Sequence, residues 1–523
     1  MPETKLPSGP SPGETQAQTE TDVYAVYGVE PEVQAYAMAK YSRSALSMRE
    51  SLREISEQKA EKFLNTFYFQ YGHRSIADLA HIAFAIEKLS LLAAIVLEDE
   101  QRWDGQERST RYQDFRHKNY FTPSFVDVAA RTDVRARERY SAVIDFLFDK
   151  YQLLSDAMFE HLVSRTPKPA EMKQEQYDRT LRARAFDIGR YMLPLATNTS
   201  LGQIVNARTL ENQISRLLAC DLPEVRALGE KLKQAAKEPA YNLSNERLHD
   251  LYEAICARDE SLGEMAKALM MREVRPAPTL VKYAEANAYE METRKELQQA
   301  AHELMRHEPL DPAPLVDLLE DEPLEIELAT SLLYEHCHHS YRQIRRRVEA
   351  LSAGKRGDVI ALGMKHRGRH DEVLKPYSAG QGFRFDILMD IGGFRDMHRH
   401  RRCVQLHQGF TTAHGYDTPE DVVAGGWQQN YDKAMKSVAE AVSSFDDEVA
   451  PYAIPLAYRK RTLFKMDFAE AVYISELRSG PAGHFSYRRV AWEMYRAVAE
   501  RYPSLASYFR VHDVNEPVDL LQR

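Results

Sequence analysis

The stretch GFRFDILMDIGGFRDMHRHR, residues 382–401, decides the fold predicted for this chain. Apolar residues alternate with polar ones from Phe383 to Met389, and a period of two is typical of a β-strand. The glycine pair that begins at Gly392 then leads into a basic segment of helical character. We therefore predict a strand that runs directly into a short helix.

A related stretch lies far upstream, HIAFAIEKLSLLAAIVLEDE, residues 81–100. Its apolar residues alternate from Ile82 to Ile86, which predicts a strand. The continuous apolar run from Leu91 to Leu97 predicts a buried helix after that strand. The two stretches thus predict the same order of elements.

Each stretch is followed by a second segment, and these two segments also resemble each other. They are RYMLPLATNTSLGQIVNARTLENQISRLL, residues 190–218, and YAIPLAYRKRTLFKMDFAEAVYISELRSG, residues 452–480. Pro194 precedes Asn206 by 12 residues, and Pro455 precedes Asp467 by the same 12. Such self-similarity indicates an internal duplication rather than a solenoid of short repeats. A chance similarity between two helical arrays is the alternative.

Composition suggests the domain boundaries. The N-terminal residues are rich in Pro, Ser, Thr and Glu, so a disordered tail is predicted over residues 1–21. The segment HEPLDPAPLVDLLEDEPLE is Pro-rich and acidic, so a linker is predicted over residues 286–321. The first domain is placed at 22–285 and the second at 322–516. Each is expected to hold a small sheet and several long helices, an α+β fold.

Bulk composition is that of a globular enzyme. The 523 residues are 44% hydrophobic and 28% charged, and the net charge is −9, so any nucleotide site must be local. The four cysteines form no Cys-x-x-Cys motif, which suits a reducing cytoplasm and indicates neither a disulfide framework nor a thiolate metal site. We find no predicted membrane span or signal peptide.

Two short motifs are ambiguous by themselves. Arg399-His400-Arg401 is either a solvated basic face or a clamp for an anion, since guanidinium groups match phosphate oxygens. Ser109 in QERSTRY lacks a neighbouring histidine base and nucleophile-elbow glycines, so a serine hydrolase is disfavoured. That loop is either an ordinary polar loop or a set of donors to a phosphate and a base.

Two other readings are disfavoured. Adjacent residues on a helix point about 100° apart, so the EHCHHS cluster around His338 cannot direct all its side chains at one ion, and no metal is expected. The basic segment YRQIRRRVEA allows a nucleic-acid surface, but aromatic interleaving is thin and the net charge is negative.

Taken together, these motifs resemble those of the flavin-dependent thymidylate synthase family, where Arg-His-Arg is followed by a serine and then by Arg-Tyr. Aligned through IEKLS, the first half matches the family at Glu107, Ser109, Arg111 and Tyr112. It holds Asp-Glu-Gln at 99–101, where the family has Arg-His-Arg.

The second half has the opposite part of the motif. It holds the Arg-His-Arg at 399–401, but Gly409 stands at the serine position and the Arg-Tyr pair is missing. It also supplies the Leu-Arg pair that ends at Arg478, whereas the corresponding Arg216 of the first half is displaced by one residue.

The remaining matches lie in the first half. The family has an arginine before Leu-Pro, and Arg190 takes that position. Asn206 and Arg208 match its Asn-x-Arg, while the second half has Asp467 and Ala469 there. The family's His-x-Ser/Thr-x-x-Glu element corresponds to His73, Ser75 and Asp78, with aspartate in place of glutamate.

The resemblance implies a composite active site, because family members assemble each site at a subunit interface. A fused chain would bring the serine loop of its first half to the Arg-His-Arg of its second, and the reciprocal interface would be inactive. The implied reaction is reductive methylation of dUMP to dTMP with methylenetetrahydrofolate and NADPH through FAD. The alternatives are an inactive nucleotide- or flavin-binding homologue and a nucleic-acid-binding protein. The implied assembly is a homodimer that forms a pseudo-tetramer.

The resemblance also assigns roles to residues. The catalytic residues would be Ser109 and Arg399. The substrate-binding residues would be Glu107, Thr110, Arg111, Arg190, Asp396 and Arg478. The flavin-binding residues would be His73, Ser75, Asp78, Asn206, Arg208, His400 and Arg401. Asp396 stands where the family often has glutamine, so its carboxylate would repel a mononucleotide unless Arg395 or Arg399 neutralises it.

Overall fold

A computed structural model describes most of the chain. The described residues are 28–40, 50–52, 74–124, 134–271, 273–368 and 371–521. The predicted N-terminal tail lies outside them. Within them, every helix is too short or too polar to cross a membrane.

The first half contains a three-stranded antiparallel sheet in the order β1–β3–β2. Its elements are α1 (Pro31–Lys40), β1 (His81–Ser90), α2 (Leu91–Leu97), β2 (Asp104–Glu107), α3 (Val134–Arg165), α4 (Gln174–Gly189), β3 (Asn198–Asn206), α5 (Ala207–Leu218), α6 (Pro223–Lys237), α7 (Leu243–Cys256), α8 (Glu260–Met270) and α9 (Ala288–Leu304). The predicted strand and buried helix at 81–100 are confirmed as β1 and α2.

The second half contains a four-stranded antiparallel sheet in the order β4–β5–β7–β6. Its elements are β4 (Val316–Leu318), α10 (Leu324–Tyr334), α11 (Tyr341–Glu349), α12 (Ala353–Lys365), β5 (Phe383–Asp390), α13 (Ile391–Met397), β6 (Val404–His407), α14 (Glu420–Ala424), α15 (Gln428–Val442), β7 (Arg459–Met466), α16 (Phe468–Ser479), α17 (Phe485–Arg501) and α18 (Pro503–Ala506). The strand and helix predicted at 382–401 are β5 and α13.

The same helix cap occurs in both halves where the strand meets the helix. Ser90 caps α2 by accepting a hydrogen bond from the backbone of Ala93, and Asp390 caps α13 by accepting one from Gly393. A side-chain oxygen at this position satisfies a backbone N–H that the helix leaves unpaired. The helices and two antiparallel sheets confirm the predicted α+β class in two tandem domains, and the shared cap shows that Ser90 corresponds to Asp390 in the repeat.

Strand β5 is buried on both faces, although its apolar residues alternate with polar ones. The polar face is covered by α10 and α11, and its charges are neutralised there. The Asp386 carboxylate accepts from the Tyr334 hydroxyl at 2.7 Å and pairs with Arg461 at 3.0 Å. Arg384 pairs with Glu322.

The two halves exchange main-chain hydrogen bonds around an antiparallel bridge between Pro194 and Pro455. The backbone N–H of Leu195 donates to Ile454 at 3.0 Å, and that of Leu456 donates to Leu193 at 3.0 Å. The largest cluster of buried apolar residues contains side chains of both halves. The halves therefore share one core around a pseudo-two-fold relationship.

The segment predicted as a linker, 286–321, includes regular structure. It contains α9 and the edge strand β4, which pairs with β5. The Pro-rich sequence nevertheless fits a strand of three residues at a sheet edge. The domain boundaries themselves stay a prediction.

Candidate active site between the two halves

Four arginines from both halves act electrostatically on the carboxylate of Asp396 in α13. Burial by itself would raise the pKa of Asp396, but the nearby guanidinium groups outweigh burial and lower it. In order of effect they are Arg190, Arg111, Arg399 and Arg478. These residues are the ones predicted to form the composite site, and the fold brings them together.

Arg190 is fully buried and only partly satisfied. Its Nη1 lies 3.5 Å from Asp396, while its Nε and Nη2 have no hydrogen-bond partner among the described residues. Gly392 faces this guanidinium, and a Cβ placed there would lie 3.4 Å from both of those nitrogens. The glycine therefore keeps the approach to two unused donors open.

Arg111 is held firmly by residues of both halves. Its guanidinium donates to both carboxylate oxygens of Asp187, at 2.8 and 3.2 Å, and to the Tyr487 hydroxyl at 3.0 Å. Burial opposes its charge, yet Asp187 raises the pKa of Arg111. Arg111 thus keeps its charge while most of its donors are engaged.

The serine loop of the first half is fastened to α13 of the second. Arg395 donates to the Glu107 carboxylate at 2.6 Å and to the Thr110 hydroxyl at 3.2 Å. Ser109 is half-buried, and its hydroxyl accepts from the backbone of Arg111 at 3.2 Å. Glu107 and Thr110, predicted to bind substrate, therefore contact Arg395 and position Ser109.

Arg399 is exposed and makes no hydrogen bond or ion pair with any described residue. With Arg401 it lines a cavity of about 530 Å³ between the halves, whose walls also include His81, Trp103, Glu107 and Asn206. That volume lies in the range of small-molecule sites.

The floor of this cavity combines an arginine, an aromatic ring and an acid. The Arg401 guanidinium lies 4.6 Å from the centroid of the Trp103 ring and donates to the Glu98 carbonyl at 2.5 Å. Burial and the neighbouring Glu107 raise the pKa of the Glu98 carboxyl to about 7, against the opposing effect of the arginines. Burial at the cavity thus favours the protonated form of Glu98.

His400 lies beside the cavity and contacts Arg478. Its Nε2 accepts from the Nε of Arg478 at 2.7 Å, and its Nδ1 is 3.6 Å from the Glu470 carboxylate. Arg478 also lies over the Tyr487 ring, 5.4 Å from its centroid. The side chain of His400 thus orients Arg478 toward the arginine cluster.

The other residues predicted to bind flavin lie at the rim. Asp78 pairs with Arg208 at 3.4 Å and with Arg102 at 3.5 Å. The Asn206 side chain caps α5 by accepting from Thr209, so its carbonyl is engaged. Ser75 is exposed. His73 lies outside the described residues.

The reciprocal interface between the halves, opposite the composite site, pairs its charges differently. Glu100 corresponds to His400, and it pairs with Arg216 at 2.8 Å as His400 contacts Arg478. Arg216, although displaced by one residue in the sequence, therefore still contacts the residue that corresponds to His400. Asp99 pairs with Lys375 at 2.6 Å. At this interface the position of Arg399 is thus taken by Asp99, whose carboxylate is already paired with an ammonium.

Sequence reasoning missed several contacts of the site. Asp187 and Tyr487 hold Arg111, and Trp103 supports Arg401; the sequence gives no signal for these partners, which lie far apart along the chain. Arg395 is predicted only to neutralise Asp396, and its contacts with Glu107 and Thr110 of the other half carry no signal in the sequence.

These features define the class of protein: two related α+β domains with one arginine-rich site between them. The family described as thymidylate synthase complementing protein matches residues 26–240 and 314–504. This chain belongs to that family, with the family's domain present twice.

Similar proteins differ in how much of the chain they match. The UPF0159 protein of Chlamydia pneumoniae is 27% identical over 96% of this chain and 93% of its own length. A flavin-dependent thymidylate synthase of Clostridium tetani is 26% identical over 42% of this chain and 82% of its own. The second relative thus corresponds to about one half of this chain.

Among solved structures, a flavin-dependent thymidylate synthase from Helicobacter pylori complexed with FAD and dUMP is also similar. It is 19% identical, covers 40% of this chain and 89% of its own, and has a TM-score of 0.26. At that level the similarity adds nothing to the fold described above.

Proposed function

We propose that this chain methylates dUMP reductively to dTMP at one composite site, with methylenetetrahydrofolate as carbon donor, FAD as cofactor and NADPH as reductant. The observation that carries the proposal is the contact of Arg190 with Asp396 between the two halves, at 3.5 Å, where two further donors of Arg190 are unused. Arg111, Arg399 and Arg478 also act electrostatically on Asp396. Four guanidinium groups around one carboxylate leave an excess of positive charge, and a nucleoside monophosphate is a matching ligand.

The phosphate would bind beside Arg190. The Nε and Nη2 of this buried side chain have no partner among the described residues, and two oxygens of one phosphate satisfy such a pair. Arg111 adds positive charge, while Asp187 and Tyr487 fix its position. Arg190 would thus donate hydrogen bonds to the phosphate, and Arg111 would attract it electrostatically.

The pyrimidine would lie between Ser109, Arg399 and Arg478. Ser109 contacts the uracil and assists its activation without acting as a strong nucleophile. Arg399 and Arg478 stabilise negative charge that develops on the ring, because a preorganised cation acts most strongly on charge that appears in the transition state. His400 fixes the direction of the Arg478 guanidinium.

The flavin would occupy the cavity of about 530 Å³. Arg401 suits a diphosphate there, since its Nη2 is buried without a hydrogen-bond partner among the described residues. Asn206 and the ion pair of Asp78 with Arg208 would bound the rim, with His73, Ser75 and His400 nearby. When bound, FAD supplies hydride transfer from NADPH to the pyrimidine. A dimer of this chain would form the family's pseudo-tetramer.

Asp396 favours a second candidate, a homologue that binds nucleotide without turnover. Its carboxylate stands among the guanidinium groups and pairs with Arg190 at 3.5 Å. A carboxylate competes with a phosphate for the same donors. Under this candidate, ligands would bind weakly and no dTMP would form.

The test uses the whole chain loaded with FAD and reduced under anaerobic conditions. With methylenetetrahydrofolate present, dUMP should accelerate flavin oxidation and yield dTMP. Arg399→Ala should lower the rate on the order of 100-fold. Arg402→Ala is the matched control, because Arg402 is exposed and pairs with Asp467 at the surface.

A cellular test complements the enzymatic one. The gene should restore growth of a thymidine-requiring host, and Ser109→Ala or Arg399→Ala should abolish this. Growth that survives both substitutions contradicts the composite site. Binding of FAD and dUMP without dTMP formation selects the second candidate, and binding of neither ligand contradicts both.

A further inference from the structure

We propose that the degenerate interface, opposite the composite site, holds a divalent transition-metal ion. The ligands are Asp99 from the first half and His398 and His407 from the second. Their ligand atoms all lie within 4.8 Å of one another. The Asp99 Oδ1 is 3.7 Å from the His407 Nε2, and the two imidazole centroids are 4.8 Å apart with ring planes at 79°.

Hydrogen bonding fixes the tautomer of His398. The side-chain amide of Gln405 donates to the backbone carbonyl of His400 at 2.8 Å, so its oxygen faces the other way. That oxygen lies 3.0 Å from the His398 Nδ1, and a carbonyl oxygen can only accept. The proton of His398 is therefore on Nδ1, and Nε2 offers a lone pair.

The same reasoning applies to His407. The hydroxyl of Thr462 donates to the backbone carbonyl of Leu406 at 3.1 Å. Its oxygen then accepts from the His407 Nδ1 at 2.9 Å. The Nε2 of His407 accordingly also offers a lone pair.

Three acceptors therefore face one another at a buried interface. Neither His398 Nε2 nor His407 Nε2 has a hydrogen-bond partner among the described residues, and His398 is 3% exposed. A buried acceptor without a donor is costly, and one cation bound by all three groups would satisfy both imidazole nitrogens and the carboxylate. Tetrahedral ligands of zinc lie roughly 3.4 Å apart, so side-chain movements of about 1 Å complete the geometry.

The surroundings have the features of a metal site. Metal-binding imidazoles usually donate their second N–H to an oxygen, as His398 and His407 do to Gln405 and Thr462. The Lys375 ammonium donates to the same Asp99 Oδ1 at 2.6 Å, so a metal ion would share this oxygen with the ammonium or displace it. The Phe394 ring contacts both imidazoles, with centroids 5.1 Å from each. Two imidazoles and a carboxylate suit zinc, cobalt or ferrous iron.

The duplication explains why these ligands stand here. By the correspondence of Ser90 with Asp390, His398 and His407 occupy the positions of Glu98 and Glu107 in the composite site. The expectation that no metal binds was drawn from the cluster around His338, whose residues are not the ligands proposed. A metal at this interface would join the two halves through side chains of both.

The probe is the metal alone, added as Zn²⁺ or Co²⁺ to full-length protein stripped with a chelator. We expect one ion per chain by elemental analysis, cobalt absorption bands in the visible region, and a rise in Tm with Zn²⁺. Asp99→Asn and His407→Gln should each weaken binding at least about 100-fold and abolish the rise. Gln405→Leu, which removes the acceptor of the His398 N–H, should weaken binding about 10-fold.

His338→Gln and His414→Gln are the matched controls, because these rings contact each other outside the proposed site. Circular dichroism without metal identifies variants that fail to fold. Folded Asp99→Asn and His407→Gln chains that retain one ion would overturn the proposal. So would loss of the ion on His338→Gln or His414→Gln, or a wild-type chain that retains no ion.

Discussion

The guanidinium of Arg190 lies 3.5 Å from the carboxylate of Asp396, although the two residues belong to different halves of the chain. Arg190 is fully buried and Asp396 is largely covered, and the pair lies where two further donors of Arg190 are unused. Asp396 is thus an internal anion within a site suited to an external one.

Replacing Asp396 by the glutamine that the family often has should strengthen nucleotide binding. Asp396→Gln removes a negative charge from the cluster of arginines, so the phosphate no longer competes with a carboxylate. We expect the Kd for dUMP to fall about 10-fold, measured by titration calorimetry. Asp467→Asn, at an exposed ion pair, is the control and should leave the Kd unchanged. Equal or weaker binding by Asp396→Gln contradicts the assignment.

Adding one methyl group at Gly392 should block the anion site. The new Cβ of Gly392→Ala would lie 3.4 Å from the Nε and Nη2 of Arg190, where a phosphate oxygen must approach. We expect the Kd for dUMP to rise about 10-fold. The Cβ would also lie 3.1 Å from the Asp390 Oδ1 that caps α13, so Tm is measured beside the Kd. Gly357→Ala is the control, since nothing lies within 4 Å of its added Cβ. If both variants bind dUMP equally well, the phosphate binds elsewhere.

The ion pair of Arg216 with Glu100 should be strongly coupled. Both side chains are mostly covered, at 21% and 15% exposure, so Arg216→Met leaves a carboxylate without its partner. The cost should be about 1–3 kcal/mol, between surface and buried pairs. The double variant Arg216→Met/Glu100→Gln should recover at least half of the lost Tm in thermal unfolding. Additive losses would show that the pair does not interact.

Stability should depend on pH through Glu98. Burial, reinforced by Glu107, raises the pKa of Glu98 from 4.5 to about 7 in the folded chain. Between pH 4.5 and about 7 the folded chain thus holds a proton that the unfolded chain has released. The free energy of unfolding therefore falls as pH rises through this range. Glu98→Gln should therefore raise Tm more at pH 8 than at pH 5.

Thermal unfolding followed at both pH values tests the Glu98 prediction. Glu440→Gln, on the exposed side of α15, serves as the control and should shift Tm equally at the two pH values. A gain in Tm that does not depend on pH would contradict the raised pKa.

The local pattern was sufficient for the strand and helix at 81–100 and at 382–401. Alternation of apolar residues and helix-capping Ser90 and Asp390 act within a few residues, so a sequence displays them directly. The burial of Arg384 and Asp386 could not be predicted this way. Their face of β5 is covered by helices whose packing depends on the whole chain.

Only part of the site was predictable, because motifs are local in the sequence whereas the contacts that hold them are not. Resemblance identified Arg190, Arg399 and Arg478, and the duplication implied that they meet. The partners that hold the site, such as Asp187 for Arg111, are joined only through tertiary structure. No spacing along the chain reports such contacts.

The main-chain bridge between Pro194 and Pro455 has an evolutionary consequence. In a dimer of identical subunits, any substitution is inherited by both interfaces at once. Here each interface is encoded by separate codons, so one can lose its arginines while the other keeps them. Fusion of the two subunits into one gene thus made it possible for a symmetric assembly to acquire two different interfaces.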